Sequence, residues 1–569
     1  MKEMAKRSEA TPKTMAAASI GDCIHVAGIF NFFKLAESAG WETQFIGSAK
    51  SPEEIAIWTR ENRPHVLAIG YRLDPSAARR LIERLVKALD EHGVNPKPRL
   101  IFGGTPPVAE VARASGVFEK VFSGEEDISE TMAYLRGESG TVLEETTYPS
   151  SLIDRIKWKS PYPIIRHHFG LPSLDETISG IETLADSGVL DVISIGPDQN
   201  AQENFFHPEE MDPDQQGSGG VPVRNARDFE RLYQASRRGN YPLMRCYSGT
   251  RDVIPFARVL LNTINNAWAA IPLSWYNVLD KRGPREIEDS MKEAQQAIKW
   301  HADQGIPVEV NESHQWSLRW APDVVAVATA YLAALTAKKM GVKDYVSQFM
   351  FNTPPETSAT MDLGKMLAKL ELIEQLADCD FRVWREVRAG LASFPVDLDM
   401  AKGHLATSTL VSMNMKPHIL HVVSYCEANH AATPGEIIES CKIAEGVIAN
   451  CIPNMPDMTL DPRVQARKLH LIQEAKVLLG AIEKLPQMVP ELSSSKDPLT
   501  DPKVLAFAIK LGLLDAPHLA GNPAACGKIC TAILDGGCEA IDPVSGEVLS
   551  ESQRVSRILD DLKNTTVGS

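Results

Sequence analysis

Residues 66–104 read VLAIGYRLDPSAARRLIERLVKALDEHGVNPKPRLIFGG. An apolar run over 66–70 is followed by a helical pattern over 77–92 and a second apolar run over 99–102 that ends in Gly103-Gly104. Runs this short are strands, and the 3.6-residue period between them is helical, so the segment is a strand–helix–strand unit with parallel strands. The same alternation continues on both sides. A helical pattern at 30–39, a run at 43–47 and a helical pattern at 52–61 precede it; a helical pattern at 107–114, a run at 120–122 and a helical pattern at 128–135 follow. Residues 17–136, after a tail at 1–16, are therefore expected to form a doubly wound, flavodoxin-like α/β domain. Such sheets bind ligands at the carboxyl ends of their strands, and the turns here carry Gly21, Gly28, Gly47, Gly70, Gly103, Gly104 and Gly124.

Downstream, residues 137–160 are polar and without period, which predicts a linker. Eight strand-like runs then appear, at 163–168, 190–195, 243–247, 271–276, 308–311, 345–351, 381–387 and 419–425, each followed by a helical stretch. Eight βα units over 161–440 predict a TIM (β/α)8 barrel with its chemistry at the C-terminal strand ends. Two doubly wound domains are the competing architecture. Residues 441–569 then supply a helical extension and a small C-terminal cap.

The 569 residues carry 74 acidic and 59 basic side chains, a formal charge of −15, with no block of like charge. That disfavours nucleic acid or an anionic membrane as partner and favours a small molecule. No apolar run approaches the ~20 residues of a membrane span, and a cytoplasmic location is expected. Nine scattered cysteines, with no Cys-x-x-Cys pair, predict reduced thiols rather than disulfides or a cysteine-bound metal.

The first chemical signal is GDCIHVAG at 21–28, just before the first long helix. His25 sits in a loop after a strand edge and Gly28 opens the helix, so the imidazole can project toward a ligand; an ordinary polar loop residue is the plainer reading. The segment 25–40, with Phe45-Ile46-Gly47, 66–70 and Ile101-Phe102-Gly103-Gly104, resembles the cobalamin-binding module of the carbon-skeleton mutases and methionine synthase. In that family the histidine of Asp-x-His-x-x-Gly is the lower ligand to cobalt. The resemblance implies His25 as cobalt ligand and Asp22, Gly28, Gly70, Gly103 and Gly104 as cofactor-binding residues, the Gly-Gly turn lying against the buried nucleotide tail. The family's aspartate falls on Cys23, one residue after Asp22, and its serine after the third strand falls on Gly70. A metal-bound imidazole normally donates its other N–H to a carboxylate or similar partner. Three arrangements stay open: a bulge that brings Asp22 to the imidazole, weakened ligation, or none.

The larger region resembles the barrel-forming subunit of glutamate mutase (methylaspartate mutase). The matching stretches are Pro242-Leu243 to Arg245 with Gly249-Thr250, SWYNV at 274–278, Phe394-Pro395-Val396-Asp397, 423–437, Gly512 to Pro517, Gly527-Lys528 and Gly537-Cys538, all in the same order. The resemblance implies an isomerase: adenosylcobalamin yields a 5′-deoxyadenosyl radical that removes hydrogen from a small substrate enclosed by the barrel. It implies Arg245 and Tyr276 as substrate-contacting residues, and Glu427 as the carboxylate that holds the adenosyl ribose, with Ser424 where the family has a lysine. Departures bear on the substrate. The family's amine-contacting glutamate falls near Ala270, and its other arginines fall in the divergent stretch 199–227, which has Arg224 and Arg227 only near its end. Tyr425 and His430 are read as structural, and Glu309 and Glu312 as candidate carboxylates for proton transfer or amine binding.

The expected function is thus an adenosylcobalamin-dependent radical mutase of a small carboxylic or amino acid, with the cobalamin module fused to the catalytic barrel. The alternatives are a corrinoid-dependent methyltransferase and a non-catalytic cobalamin-binding protein. A pyridoxal-phosphate aminomutase would need an imine lysine, and no motif singles out Lys402 or Lys528. No nucleic-acid or membrane partner is expected, and a homodimer is left open.

Overall fold

The computed structural model describes residues 13–126, 128–136 and 148–567. The chain divides into two compact units, Met1–Thr146 and Thr147–Ser569.

In the first unit, β1 (Thr14–Ile20), β2 (Glu42–Lys50), β3 (Val66–Gly70), β4 (Arg99–Gly103) and β5 (Lys120–Phe122) form one parallel sheet in the order β2-β1-β3-β4-β5. That is the flavodoxin-like doubly wound order. β1 starts at Thr14, inside the stretch read as a tail. Its core is Ala16, Ala17 and Ala18, each at most 1% exposed, and a run of alanines carries little of the β-branched signal that marks a strand. Ser51 and Glu54 form a capping box ahead of helix Pro52–Asn62, and Asp74 caps helix Pro75–Glu91, whose Ala78, Ile82, Leu85 and Leu89 make one buried stripe.

In the second unit, eight parallel strands follow in chain order: β6 (Ile164–Phe169), β7 (Val192–Ile195), β8 (Leu243–Cys246), β9 (Ala269–Pro272), β10 (Val308–Asn311), β11 (Asp344–Phe351), β12 (Arg382–Ala389) and β13 (Ile419–His421). The sheet runs β8-β7-β6-β13-β12-β11-β10-β9, which is chain order around a ring. Its two edges, β8 and β9, are joined by a hydrogen bond from the Ala267 N–H to the Met244 carbonyl at 2.9 Å. The result is a nearly closed eight-stranded α/β barrel.

Every expected barrel run overlaps a strand, but β9 lies earlier than read and shares only residues 271–272 with its run. It begins at Ala269, and residues 273–276 have already left the sheet, ending at Tyr276 with φ +66°. The first part of the expected linker, 137–147, lies outside the described residues, and its later part holds a helix, Leu152–Lys159, capped by Ser151. Helix Pro434–Cys451 runs across the 440/441 boundary.

The 27-residue helix Pro462–Met488 packs on helices Ala359–Glu374 and Asp323–Lys339. A Cβ at Gly364 would come within 2.7 Å of the Arg467 Cβ, so glycine is what lets the helices approach. Arg467 pairs with Asp323 at 2.8 Å and with Glu539; Asp323 also meets the Lys365 ammonium at 3.2 Å, and Lys365 meets Asp362 at 2.9 Å. The hairpin β14 (Cys530–Leu534) and β15 (Gly537–Ile541) is tied to the barrel at the helices that follow β10 and β11. Ser358 N–H donates to the Gly536 carbonyl at 2.9 Å, and Cys538 N–H to Asp323 at 3.3 Å. This places the hairpin at the C-terminal rim, where barrel enzymes keep their chemistry. All nine cysteines are free.

Candidate functional sites

In the first unit the carboxyl ends of β1, β3, β4 and β5 border a cavity of about 750 Å³, lined among others by His25, Gly28, Gly70, Gly103 and Gly104. The space comes from missing side chains. A Cβ at Gly28 or Gly103 would meet nothing within 4 Å, whereas at Gly104 it would lie 2.5 Å from the Tyr71 carbonyl oxygen. Gly104 thus lets two strand ends close together, while Gly28 and Gly103 leave a slot for a ligand.

The loop ahead of the first helix is anchored on both sides. Gly21 takes φ +69° beneath Leu81, its N–H donating to the Lys50 carbonyl at 2.8 Å, and the Ser19 hydroxyl donates to the Cys23 carbonyl at 2.5 Å. His25 is exposed, and its Nδ1 lies 3.8 Å from the Sγ of the fully buried Cys23. Asp22 turns the other way and accepts from the Tyr71 hydroxyl at 3.4 Å. The neighbour that orients the imidazole is therefore a thiol, and the arrangement in which a bulge brings Asp22 to His25 is absent.

The barrel holds the second site. Arg166 on β6 is 1% exposed and donates from Nε to Glu386 on β12 at 2.9 Å and from Nη1 to Ser194 on β7 at 3.0 Å and to His168 Nε2 at 3.1 Å. Glu309 on β10 accepts from the Trp268 indole at 2.9 Å and from Gln348 on β11 at 2.6 Å. Contacts between strands that are not neighbours place these side chains inside the ring. Arg245 on β8 is 1% exposed and none of its three guanidinium nitrogens has a hydrogen-bond partner; its nearest carboxylate is Glu309 at 3.5 Å. Its guanidinium lies 4.7 Å from the Trp268 ring centre and 5.6 Å from that of Tyr247.

Burial and the neighbouring arginines push His168 and His421 well below the ordinary imidazole range, so both are neutral. His168 accepts at Nε2 from Arg166, which leaves its one proton on Nδ1, an atom without a protein partner. The Tyr247 hydroxyl, pushed up to about 12 by burial, lies 3.0 Å from the same Nε2. Burial raises the Glu386 carboxyl as well, and its Oε2 is unpartnered.

The remaining expected residues are placed as follows. Tyr276 is held in its left-handed conformation by N–H donation to Asp280 at 3.0 Å, and its ring carries the Arg282 guanidinium at 4.5 Å. Glu427 meets His167 Nε2 at 2.9 Å and the Ser424 N–H at 3.0 Å; burial opposes its charge, but these partners win and hold it below the usual carboxylate range. Ser424 also contacts His167 Nε2, at 2.8 Å. Tyr425 donates to Glu439, and His430 pairs with Glu436 at 2.8 Å. Glu312 is buried among Ser274 and Trp316, and burial raises its carboxyl. Arg224 grips the buried Asp198 through two nitrogens, and Arg227 is exposed.

Sequence reading missed Arg166, His168, Gln348, Glu386, Arg388 and His421. The usable signal was a polar or charged side chain recurring at every second residue of a strand, as at Arg166 and His168 on β6 and Glu386 and Arg388 on β12. Cys426, His430 and Glu436 also bring three possible metal-ligating atoms within 4.8 Å of one another.

A family model of the B12 binding domain matches residues 13–132. The first unit is thus a B12-binding domain. Two solved structures show similarity. One is a novel cobalamin-binding protein from Desulfitobacterium hafniense DCB-2, 20% identical over 22% of this chain and 59% of that one, with a TM-score of 0.20. The other is the apo, selenomethionine-labelled cobalamin-dependent S-adenosylmethionine radical enzyme OxsB, 10% identical over 98% of this chain and 80% of that one, with a TM-score of 0.16. The chain spans 59%, less than two thirds, of the first of these. No curated protein matches it. Among the described residues, no helix is long and apolar enough to cross a membrane.

Proposed function

We propose that the chain is a cytoplasmic adenosylcobalamin-dependent radical mutase that rearranges a small carboxylic or amino acid, resembling glutamate mutase with its cobalamin module fused to the barrel. One observation carries the substrate half of this reading: Arg245, buried in the barrel with every guanidinium nitrogen unbonded. Leaving a buried charged donor unmet costs more than the ~1–3 kcal/mol of a neutral group, and a carboxylate is the ligand whose geometry matches a guanidinium.

In this reading Gly70, Gly103 and Gly104 border the slot for the nucleotide tail, and His25 is the cobalt ligand. When bound, adenosylcobalamin supplies the carbon radical that starts the rearrangement. Arg245 holds the substrate carboxylate, with Trp268 and Tyr247 flanking it and excluding water. His168 offers its Nδ1 proton to a substrate oxygen, and Tyr276 closes the side at the end of β9. Glu427, kept ionised by His167, accepts from the ribose hydroxyls with the oxygen that His167 leaves free.

The test is purification of the full chain with adenosylcobalamin, absorbance spectroscopy of what is retained, and a screen of dicarboxylates and amino acids for isomerisation. Retention, a spectrum altered by His25→Ala, and isomerisation with the adenosyl form support the reading. Turnover with methylcobalamin alone would replace it by a corrinoid-dependent methyltransferase, and retention without turnover of either form by a cobalamin-binding protein.

A further inference from the structure

Among the described residues, two groups bring three metal-ligating side-chain atoms within 4.8 Å of one another. His207, Glu209 and Glu210 lie at the surface and offer no sulfur, and His207 Nε2 already meets Asp252 at 3.0 Å. Cys426, His430 and Glu436 are built differently. Cys426 follows β13 at the C-terminal end of the barrel, is 0% exposed, and turns its thiol toward the Glu436 carboxylate. The chain then makes one helical turn, in which the Asn429 and His430 N–H groups both donate to the Cys426 carbonyl, at 2.8 and 3.0 Å. Side chains four residues apart on such a turn share one side, so His430 returns to the side of Cys426. Glu436 arrives from the first turn of helix Pro434–Cys451. Its Oε2 accepts from the Thr433 N–H at 2.9 Å and from the Thr433 hydroxyl at 2.7 Å, in the capping box of that helix. Its Oε1 meets His430 Nε2 at 2.8 Å.

We propose that Cys426 Sγ, His430 Nε2 and Glu436 Oε1 form a zinc-binding site at the barrel rim, with the fourth tetrahedral position open to water. Sulfur beside imidazole and carboxylate selects zinc over magnesium or calcium, which take oxygen ligands. A ligating carboxylate is normally oriented by donors to its other oxygen, which is what Thr433 supplies. On binding, the thiol proton leaves to solvent, and thiolate and carboxylate together balance the divalent charge. Zinc bonds of about 2.0–2.3 Å set tetrahedral ligand atoms about 3.3–3.6 Å apart, so the imidazole and carboxylate part by only about half an ångström to admit the ion. The ion pins the turn that carries Glu427 to helix Pro434–Cys451, and its binding does not depend on the mutase reading. The spacing hides the site: Cys-x3-His-x5-Glu contains a single cysteine, so no Cys-x-x-Cys pair marks it.

The test loads the full chain with zinc chloride, dialyses it against zinc-free buffer, and reads the metal content by mass spectrometry and the ligands by zinc K-edge absorption, which the cobalt of a bound corrinoid does not disturb. One zinc per chain is expected, with one sulfur at about 2.3 Å and the other ligands at about 2.0–2.2 Å. Cys426→Ala should remove the sulfur shell. His430→Gln and Glu436→Gln, the latter keeping a side chain that can serve the capping box, should each weaken zinc at least tenfold in competition with a chromogenic chelator. His430 is exposed, so zinc-free His430→Gln should melt with the zinc-free wild type, and zinc should raise the melting temperature of the wild type alone. His207→Gln should bind zinc as the wild type does. The proposal is overturned by a chain that retains no zinc, by zinc without a sulfur ligand, by loss of the zinc in His207→Gln, or by zinc that stabilises wild type and His430→Gln equally. Binding unmoved by Cys426→Ala, His430→Gln and Glu436→Gln overturns it as well, leaving an adventitious ion only.

Discussion

In the B12-binding unit the site is made of absent side chains. Gly28 and Gly103 face open space, β1 is lined with alanine, and among the described residues of this unit no histidine is buried. In the barrel the site is made of charged side chains that the protein leaves incompletely paired: a buried Arg245 without a hydrogen bond and a Glu386 with one free oxygen. A slot of this kind selects by shape and costs little to build. A charged lumen selects by electrostatics, and its burden is carried by the fold until a ligand arrives. One chain therefore combines an open, glycine-lined cavity in one unit with a charged, closely packed lumen in the other.

The largest expected effect is on the barrel's own charges. Arg166→Ala strips Glu386 of its partner inside the ring and should cost about 3–5 kcal/mol in urea unfolding, with corrinoid retention unaffected. A loss below about 1 kcal/mol would show that the pair is wetter than the 1% and 0% exposures of Arg166 and Glu386 imply, and the contrast would fail.

Acid should sharpen it next. His301, 3% exposed, is lowered to about 4 by burial, and His418 likewise. Because the folded state lowers these values, the stability they confer is complete above pH 6.5 and is lost as pH falls toward 4. His301 alone accounts for on the order of 3 kcal/mol. Thermal scans between pH 7 and 4 should show the barrel transition moving down, while the described residues of the first unit include no buried imidazole to contribute.

The glycines test the other side at smaller scale. Gly104→Ala drives a Cβ against the Tyr71 carbonyl, which is backbone and cannot swing away, and should cost about 1–3 kcal/mol. At Gly103 an added Cβ meets nothing within 4 Å, and Gly103→Val should change stability by no more than about 0.5 kcal/mol. It should nonetheless cut corrinoid retention after dialysis at least tenfold, because it fills the slot. Equal retention would mean that the crevice is not where the ligand lies.

The strands were legible because they are buried on both sides and read as short apolar runs between helical periods; all eight barrel runs were found this way. β1 was not, since Met15-Ala-Ala-Ala-Ser19 has small side chains that suit a tightly covered sheet but carry no β signature. β9 was misplaced because Leu273 and Trp275 continue its apolar pattern after the backbone has turned away. In the site, Arg245 and the glycines could be read from the sequence, but the lumen could not. On β12, Glu386, Val387 and Arg388 read like a strand with one polar face in water, and only closure of the ring shows that Glu386 and Arg388 face the lumen.

The knot of charge at the rim has a consequence for the making of the molecule. Asp323, Lys365, Arg467 and Glu539 leave the ribosome in that order, and Arg467 grips both the first and the last of them. Until the hairpin emerges, a guanidinium destined for the interior lacks one of its two counter-charges and the strand ends beside it lie uncovered. A chain cut short before residue 539 should thus lack a finished C-terminal rim on its barrel, even though every barrel strand has already been synthesised.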